Sequence, residues 1–587
     1  MTPPAGLAYS LNPAIYTKGT TIPANTPSAS GGAVVSYAVS PTLPPGLNLN
    51  TTTGVITGTP STVVAAANYT VTAANSGGSA PTNLNITVND APPSGGSRTV
   101  SGTVTYDRVP ATYSVTTQTG SLDFAQSSPR PARNATVQVM SGTNVLASTT
   151  TDATGHYTLS FTQTGSGALA LAVLAQTTAP AILVKDNTDG AIWGIGAALD
   201  ANATTLDLRA THGWTGSAFD PAKRTAAPFA ILDSMYTAAR AFLDVRPVAF
   251  PSLVVNWSPS NVPQAGDPAQ GQIGTSHFSP SQNEIFILGK DGVDTDEYDS
   301  HVIVHEWGHF FEANLSRSDS PGGPHGPGDV LDPRLAFGEG YGNAIAAMVL
   351  PETMYVDTKW AGPGGTLNAF GFDAETPPVP TDDPTPSAFS EATVLRLLYD
   401  LFDGGTAEPF DQVGVGLGVI YDVLVGPERT TAALTTIGSF VAALKAQPGV
   451  NGAAVDALLA HYGIGPISSE WGDGDAALRD MYVDVPSLPA ATTVALGGGV
   501  ESNKWEQNQY FVVTGSGTQV SVSATSTEDV GLVVYKAGQK VTVADRTTSG
   551  TEAVSFPTVA GGKYVISLVG FATTSGNYAV NMSFTSP

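Results

Sequence analysis

The pentapeptide His-Glu-Trp-Gly-His at residues 305–309 constrains the fold of this chain more than any other feature. It lies in the run 300–314, whose apolar residues predict a largely buried helix. A spacing of four residues places His305 and His309 one above the other on one helix face, where both imidazoles can bind one metal ion. Glu306 lies one residue further round the helix, so it suits a general base acting on a metal-bound water better than a third ligand.

A second helix is predicted over residues 334–348, and it carries a carboxylate. Catalytic zinc takes three protein ligands and keeps one position open, so the third ligand must come from elsewhere in the chain. Glu339 is our candidate, although a carboxylate near a helix start also complements the helix dipole. Asn343 lies one turn later and could accept the free ring N–H of a liganding histidine. Three glycines spaced two residues apart weaken this helix, which is expected if its backbone must press against the first helix.

Residues 299–350 resemble the gluzincin metallopeptidases, the broad thermolysin-like group. In that group the third ligand is a glutamate on a following helix, with an aspartate four residues later. Here Asn343 stands four residues after Glu339, so an amide replaces a charge and the metal is expected to be held more weakly. The metzincin pattern fails, because Glu312 and Leu315 stand where it requires glycine and histidine.

The resemblance implies a secreted, zinc-dependent endopeptidase that hydrolyses proteins or glycoproteins through a zinc-bound water activated by Glu306. In such enzymes a tyrosine or histidine normally shares the developing oxyanion with the metal. The sequence leaves several candidates open for that role or for substrate binding: His325, which lies in the Pro- and Gly-rich loop between the two helices, and Tyr341, Tyr399 and His461.

The length of the chain and its turn-forming residues indicate several domains. A chain of 587 residues with 43 prolines and 64 glycines is too long and too interrupted for one core. Only 12% of the residues are charged, and Thr, Ser, Val and Gly abound, which favours short strands. We therefore expect a multidomain protein with an α+β zincin catalytic domain and flanking all-β sandwich domains.

The net charge of the chain and the absence of cysteine exclude several kinds of partner and metal site. A formal charge of −25 argues against nucleic acid or an anionic membrane as a partner. The absence of cysteine excludes disulfides and thiolate metal sites, and no apolar run is long enough to span a membrane. The first residues lack the features of a signal peptide, so we expect that any signal peptide has been removed from a secreted or cell-surface protein.

Four domains are expected. Residues 1–92 contain the pieces Leu-Pro-Pro-Gly-Leu and Gly-Val-Ile-Thr-Gly-Thr-Pro, which resemble immunoglobulin-like domains of bacterial surface proteins. A linker at 91–97 leads to alternating strands in 98–183, which resemble the carboxypeptidase regulatory-like, transthyretin-like sandwich. Residues 186–485 form the zincin domain, with a helical second half. Strands resume in 488–587, which resemble the bacterial pre-peptidase C-terminal domain.

Two segments ahead of the motif have alternative interpretations. The apolar run 284–289 predicts a strand that either lines the cleft at a sheet edge or lies in the core. Residues 291–297 carry four carboxylates, which could hold Ca²⁺, but they lack the full EF-hand order, and a solvated acidic loop is favoured.

The alternative function is that of a cell-surface adhesin or stalk with an inactive or vestigial peptidase domain. The flanking β-modules favour it, because such modules serve as spacers and attach proteins to a cell surface or matrix. The intact metal-binding motif argues against it. In the peptidase interpretation, deletion of the flanking modules is expected to leave peptide hydrolysis intact.

Overall fold

The computed structural model describes residues 2–90, 97–163, 167–359, 369–376, 383–404, 410–546, 548–573 and 575–586. All of the predicted linker at 91–97 except Ser97 lies outside these residues. The chain divides into two compact units: one consists of Met1–Val104, Ala135–Leu174 and Ile195–Leu208, and the other of Thr105–Asn134, Ala175–Gly194 and Arg209–Pro587. Among the described residues, no helix combines the length and apolarity that a membrane span requires.

The N-terminal segment of the first unit is an all-β domain, which confirms the module predicted there. Its strands are β1 (Pro4–Tyr9), β2 (Ala14–Thr17), β3 (Pro27–Gly31), β4 (Ser36–Ser40), β5 (Leu47–Leu49), β6 (Ile56–Gly58), β7 (Val64–Asn75) and β8 (Gly78–Asn89). Strands β2, β8, β7 and β4 form one sheet in that order, while β1 pairs with β3 and β5 with β6. Alternate residues such as Val71 and Ile86 are fully buried in its core, as the period of two requires.

The next segment contains β9 (Ser97–Arg108), β10 (Ala111–Ser114), β11 (Thr119–Leu122), β12 (Ser128–Pro131), β13 (Thr136–Ser141), β14 (Asn144–Thr150), β15 (His156–Thr162), β16 (Leu169–Leu174), β17 (Gln176–Thr178), β18 (Ala181–Lys185), β19 (Gly194–Leu199) and β20 (Leu208–Ala210). In the first unit, the first half of β9 pairs with β15. A second sheet there has the order β14-β13-β16-β19.

The predicted boundary between the second and third domains is wrong. Strand β18 pairs in parallel with β21 (Leu253–Trp257), and β17 pairs with β18, so both belong to the sheet of the central domain. The run 98–183 is therefore not one independent sandwich. A short apolar strand such as β18 has the same pattern in either domain, so its sequence cannot show which sheet it joins.

The central domain places a mixed sheet beside three helices. Its elements after β21 are β22 (His277–Ser279), β23 (Glu284–Ile287), β24 (Gly289–Lys290), β25 (Asp294–Thr295), β26 (Met354–Thr358) and β27 (Ala369–Asp373), with helices α1 (Ala227–Val245), α2 (Ser300–Leu315) and α3 (Pro333–Val349). The sheet order is β17-β18-β21-β23-β22, so β23 is an internal strand and β22 forms the edge. The ring of Phe242 on α1 stacks on Phe311 of α2 at 4.7 Å, so the two helices share one aromatic core.

The second half of the central domain is helical, as its apolar spacing predicts. Its helices are α4 (Glu391–Asp403), α5 (Gly416–Val423), α6 (Ile437–Lys445), α7 (Gly452–His461) and α8 (Ala476–Asp480). The hydroxyl of Ser390 accepts the Thr393 N–H and so caps the N-terminus of α4.

The C-terminal part is a β-sandwich. Its strands are β28 (Tyr482–Val485), β29 (Ala490–Gly498), β30 (Asn508–Thr514), β31 (Gln519–Ser526), β32 (Val530–Lys536), β33 (Gln539–Ala544), β34 (Gly550–Pro557), β35 (Lys563–Gly570) and β36 (Gly576–Thr585). The two sheets have the orders β28-β30-β35-β32-β33 and β29-β36-β31-β34. Because β28 pairs in parallel with β30, this domain begins before the predicted start at 488.

Candidate metal centre

Two closely packed helices, α2 and α3, build the centre. Asp332 accepts the Arg334 N–H at 3.0 Å and caps α3. A Cβ atom at Gly342 would lie 2.8 Å from the His305 ring, and one at Gly308 would lie 2.9 Å from Ile345. These two glycines therefore let the helices approach. The glycine at 340 instead faces α4, where a Cβ atom would lie 2.7 Å from a valine side chain.

Three polar atoms converge between the helices. His305 Nε2 lies 3.0 Å from His309 Nε2, and Glu339 Oε2 lies 3.1 Å from His305 Nε2 and 3.3 Å from His309 Nε2. Tetrahedral zinc with bonds of 2.0–2.1 Å separates its ligand atoms by roughly 3.3 Å. Two nitrogens and one carboxylate oxygen at this spacing therefore fit the donor set of a catalytic zinc site.

The electrostatics of the cluster favour a positive charge at its centre. Burial opposes ionisation of Glu339, but His309 and His305 hold the pKa of this carboxyl well below its usual range. Burial also opposes charge on His309, but the Glu339 carboxylate raises the pKa of that imidazole well above its usual value. A metal ion bound by the three side chains would supply the same positive charge.

Further polar contacts fix the orientation of the two imidazoles. Asn343 Oδ1 lies 2.8 Å from His305 Nδ1, which leaves Nε2 of His305 to point at the other two members of the cluster. The amide of Asn343 donates to Glu391 Oε1 at 2.6 Å, and this bond sets which way the amide faces. Nδ1 of His309 lies 3.6 Å from Glu312 Oε2, a carboxylate buried within the same helix.

Glu306 lies on the neighbouring face of α2, against the edge strand of the sheet. Its Oε2 accepts the backbone N–H of Phe278 in β22 at 2.7 Å. The side chain is buried but is not one of the three converging groups. This bond fixes the carboxylate and connects α2 to the edge strand β22.

The structure brings one of the four oxyanion candidates to the cluster. His325 Nε2 lies 3.4 Å from Glu339 Oε2, and His325 Nδ1 lies 2.8 Å from Glu391 Oε2. Tyr341 is instead buried in the core and packs on phenylalanine rings. His461 stacks on Phe410 at 3.7 Å.

Tyr399 is the fourth candidate, and it too makes its contacts elsewhere. It lies on α4, where its ring packs 5.8 Å from that of Phe402. Burial, together with Glu375 and Asp403, raises the pKa of Tyr399 above its usual value.

The interaction of His325 with Glu391 makes this histidine cationic at neutral pH. Burial opposes that charge, but the hydrogen bond to the Glu391 carboxylate raises the pKa of His325 to about 9. Sequence reasoning missed Glu391, because an acidic residue that follows a serine N-cap has an ordinary explanation in the first turn of a helix.

Sequence reasoning also missed Tyr355 on β26. Its ring lies 6.5 Å from that of His305 and 5.6 Å from that of His301. Burial, followed by the charges of Asp357 and Glu306, raises the pKa of this tyrosine well above its usual value. No motif signals this residue, because the chain brings it to the centre from a strand beyond α3.

A cleft of about 760 Å³ opens onto the cluster, and Phe278, His309 and Glu339 line it. Arg429 and Gly538 line the same cleft, so the turn between β32 and β33 of the C-terminal sandwich forms part of its wall. The C-terminal sandwich therefore borders the candidate centre directly.

Comparisons with known proteins identify one part of the chain. Residues 6–89 match the model of the family described as "Putative Ig domain". The N-terminal domain is therefore immunoglobulin-like, and the protein is a multidomain, mostly β-sheet protein with some helices. No curated protein matches the chain.

Solved structures match with low overall similarity. The pre-peptidase C-terminal domain of collagenase from Bacillus anthracis matches with 12% identity over 18% of this chain and 92% of its own, with a TM-score of 0.14. Titin domains Z1Z2 in complex with telethonin match with 14% identity over 35% and 97%, with a TM-score of 0.13. An endo-fucoidan hydrolase of glycoside hydrolase family 107 matches with 20% identity over 29% and 32%, with a TM-score of 0.15. These scores support no argument about function.

Proposed function

We propose that the protein is a secreted or cell-surface, zinc-dependent endopeptidase of the gluzincin type that hydrolyses proteins or glycoproteins. The convergence of His305, His309 and Glu339 within 3.0–3.3 Å of one another carries this proposal. Two imidazoles and one carboxylate leave an open position in a tetrahedral zinc site, as a hydrolytic centre requires.

The chain's own groups supply the proton transfers. A bound zinc ion would contribute Lewis acidity at the scissile carbonyl and would increase the acidity of water. Glu306 accepts a proton from the attacking water and then delivers it to the leaving amine. Because Oε2 of Glu306 accepts the Phe278 N–H, Oε1 is the oxygen that accepts and delivers the proton.

His325 is the oxyanion donor that the contacts support best. Its Nδ1 lies 2.8 Å from Glu391 Oε2, and its Nε2 lies 3.4 Å from Oε2 of the proposed ligand Glu339. A charged N–H donor in a partly desolvated cleft stabilises a developing negative charge more strongly than a neutral donor does. The edge strand β22 could pair with an extended substrate beside it.

The finer domain assignments belong to the same proposal. From the sequence resemblances alone, we assign the second segment to a carboxypeptidase regulatory-like fold and the C-terminal sandwich to a pre-peptidase C-terminal domain. The immunoglobulin-like match at 6–89 favours a second role in attachment to a surface or matrix. It is also the observation that supports the alternative of an adhesin with an inactive peptidase domain.

Zinc content is the direct test of the centre. Protein reloaded with zinc after chelation is expected to contain about one zinc per chain. His305→Ala is expected to lose it, because two ligands cannot hold zinc firmly. Elemental analysis measures the ratio, and His461→Ala is the matched control, because that histidine stacks on Phe410 instead. Full zinc retention in His305→Ala would refute the ligand assignment.

Asn343 tests the orientation of His305. Replacement by alanine removes the acceptor at His305 Nδ1 and is expected to lower zinc affinity by roughly ten- to a hundredfold. Competition with a chromogenic chelator measures the affinity. Asn314→Ala is the control, since Asn314 lies on α2 but bonds to Asn283. If the two variants bind zinc with equal affinity, Asn343 does not orient His305 and contributes only to packing.

A further inference from the structure

A second group of carboxylates lies beside the candidate centre. Asp294 on β25, Asp296 in the turn after it and Asp357 on β26 each place a carboxylate oxygen within 4.8 Å of the others. The first two come from the acidic run 291–297, for which a solvated loop was favoured. That expectation is wrong for Asp296, which is only 4% exposed.

The buried carboxylates lack enough donors. Asp296 Oδ2 accepts the Ser276 hydroxyl at 2.5 Å, and Asp299 Oδ2 accepts the Thr358 N–H at 2.7 Å. The other oxygen of each, Oδ1, is buried and accepts no hydrogen bond from the part of the chain that the structure describes. Buried oxygens of this kind cost free energy unless a donor or a cation satisfies them.

The charges around the cluster do not balance. Burial, followed by repulsion from neighbouring aspartates, raises the pKa of Asp296 well above its usual value, and that of Asp294 to about 6. Lys359 is a nearby cation, but its side chain is exposed. The charge of Arg108 acts on the neighbouring Asp299, and its guanidinium donates to Tyr298 O and Ser300 Oγ.

We propose that Asp294, Asp296 and Asp357 bind a divalent cation of the calcium class. Carboxylate oxygens without imidazole or sulfur are the donor set that hard cations prefer. The buried Oδ1 of Asp296 is the second observation, because one oxygen of a carboxylate in this cluster is buried and has no donor among the described residues. Asp357 also lines a cavity of about 280 Å³, which gives an ion access.

The cation would connect the turn that leads into α2 with β26. Asp296 lies four residues before the start of α2, and Asp357 lies two residues after Tyr355. The ring of Tyr355 faces His305 at 6.5 Å. The ion would therefore hold β26 beside the active-site helix, and its role would be structural.

The test uses the full chain, stripped of divalent ions and reloaded with one equivalent of zinc. Calcium chloride is titrated by calorimetry, and thermal unfolding is followed with and without calcium. We expect a dissociation constant on the order of 0.1–1 mM and a rise in Tm of roughly 5 °C at about 10 mM Ca²⁺. Magnesium at the same concentration is expected to give a smaller rise, because it demands a more regular octahedral site.

The variant Asp357→Asn distinguishes two hypotheses: that the three carboxylates bind a cation, and that they share protons with one another. With calcium, it is expected to lose the rise in Tm. Without calcium, it is expected to unfold at a higher temperature than the unsubstituted protein, because one buried charge is removed. Asp291→Asn makes the same change in the same acidic run, outside the cluster, and is expected to keep the calcium response.

Two results would overturn the proposal: no calcium binding up to about 10 mM, well above the range for extracellular modules, or an unchanged calcium response in Asp357→Asn. The site is independent of the proposed peptidase activity. Glu306→Gln should therefore show the same calcium response, and failure of one proposal would not imply failure of the other.

Discussion

Glu306→Gln is expected to lower peptide hydrolysis by at least about a hundredfold while zinc stays bound. The amide keeps the size of the side chain, and its oxygen can still accept the Phe278 N–H that fixes Glu306. It cannot take a proton from water at neutral pH. Because His305, His309 and Glu339 are unchanged, the loss should appear in kcat, with zinc content near one per chain.

A matched substitution shows whether the loss is specific. Glu352 is exposed, and its backbone carbonyl oxygen lies 2.9 Å from His301 Nε2. Glu352→Gln should therefore hydrolyse peptides at the unsubstituted rate. The substrate panel should contain proteins and glycoproteins of diverse sequence. If the unsubstituted protein carries zinc, cleaves none of them and behaves like Glu306→Gln, the adhesin becomes the better hypothesis.

The sequence predicts the two helices of the candidate centre well. Each helix combines a run of apolar residues with side chains of the type that a metal site requires. The runs 300–314 and 334–348 correspond to α2 at Ser300–Leu315 and α3 at Pro333–Val349. Four-residue spacing alone puts both histidines on one face. The need for a third ligand then selects Glu339, which the structure brings to within 3.3 Å of both imidazoles. Residue spacing is enough to predict the positions of side chains relative to one another when they lie on the same helix.

Contacts between distant segments could not be predicted. Glu391 reaches the centre because α4 packs on α3, where Gly340 leaves room for Val394. Tyr355 reaches it because β26 lies beside α2. Neither residue belongs to a motif with a defined spacing. From the sequence, Glu391 cannot be distinguished from any acidic residue in the first turn of a helix, and Tyr355 cannot be distinguished from any other strand residue. The edge position of β22 likewise depends on sheet order, which a three-residue strand does not encode.

The contacts of the C-terminal sandwich lead us to expect that, unlike the other flanking modules, it is required for the proposed hydrolysis. Asn503 donates to Pro324 O at 2.9 Å, and so holds the loop that carries His325. The ring of Trp505 packs on Phe389 at 4.9 Å, immediately before α4. The Tyr510 hydroxyl donates to Asp332, the residue that caps α3.

Removing residues 488–587 is therefore expected to abolish zinc binding and peptide hydrolysis. The truncation exposes the aromatic surface at Phe389 and leaves the buried Asp332 and Arg334 without the Tyr510 ring and hydroxyl, which lie over the start of α3. Since α3 supplies Glu339, disorder in its first turns would displace this proposed metal ligand. Zinc content and hydrolysis of a short peptide measure the loss.

Milder variants separate loss of folding from loss of positioning. Tyr510→Phe removes only the hydroxyl donated to Asp332 and is expected to cost about 1–3 kcal/mol of stability, which lowers Tm by several degrees. Asn503→Ala frees the His325 loop and should reduce kcat without loss of zinc.

Deletion of residues 1–90 is the control for the truncation, because the immunoglobulin-like domain belongs to the other compact unit. If the chain without residues 488–587 still binds zinc and hydrolyses the peptide at the full rate, the C-terminal sandwich serves attachment alone.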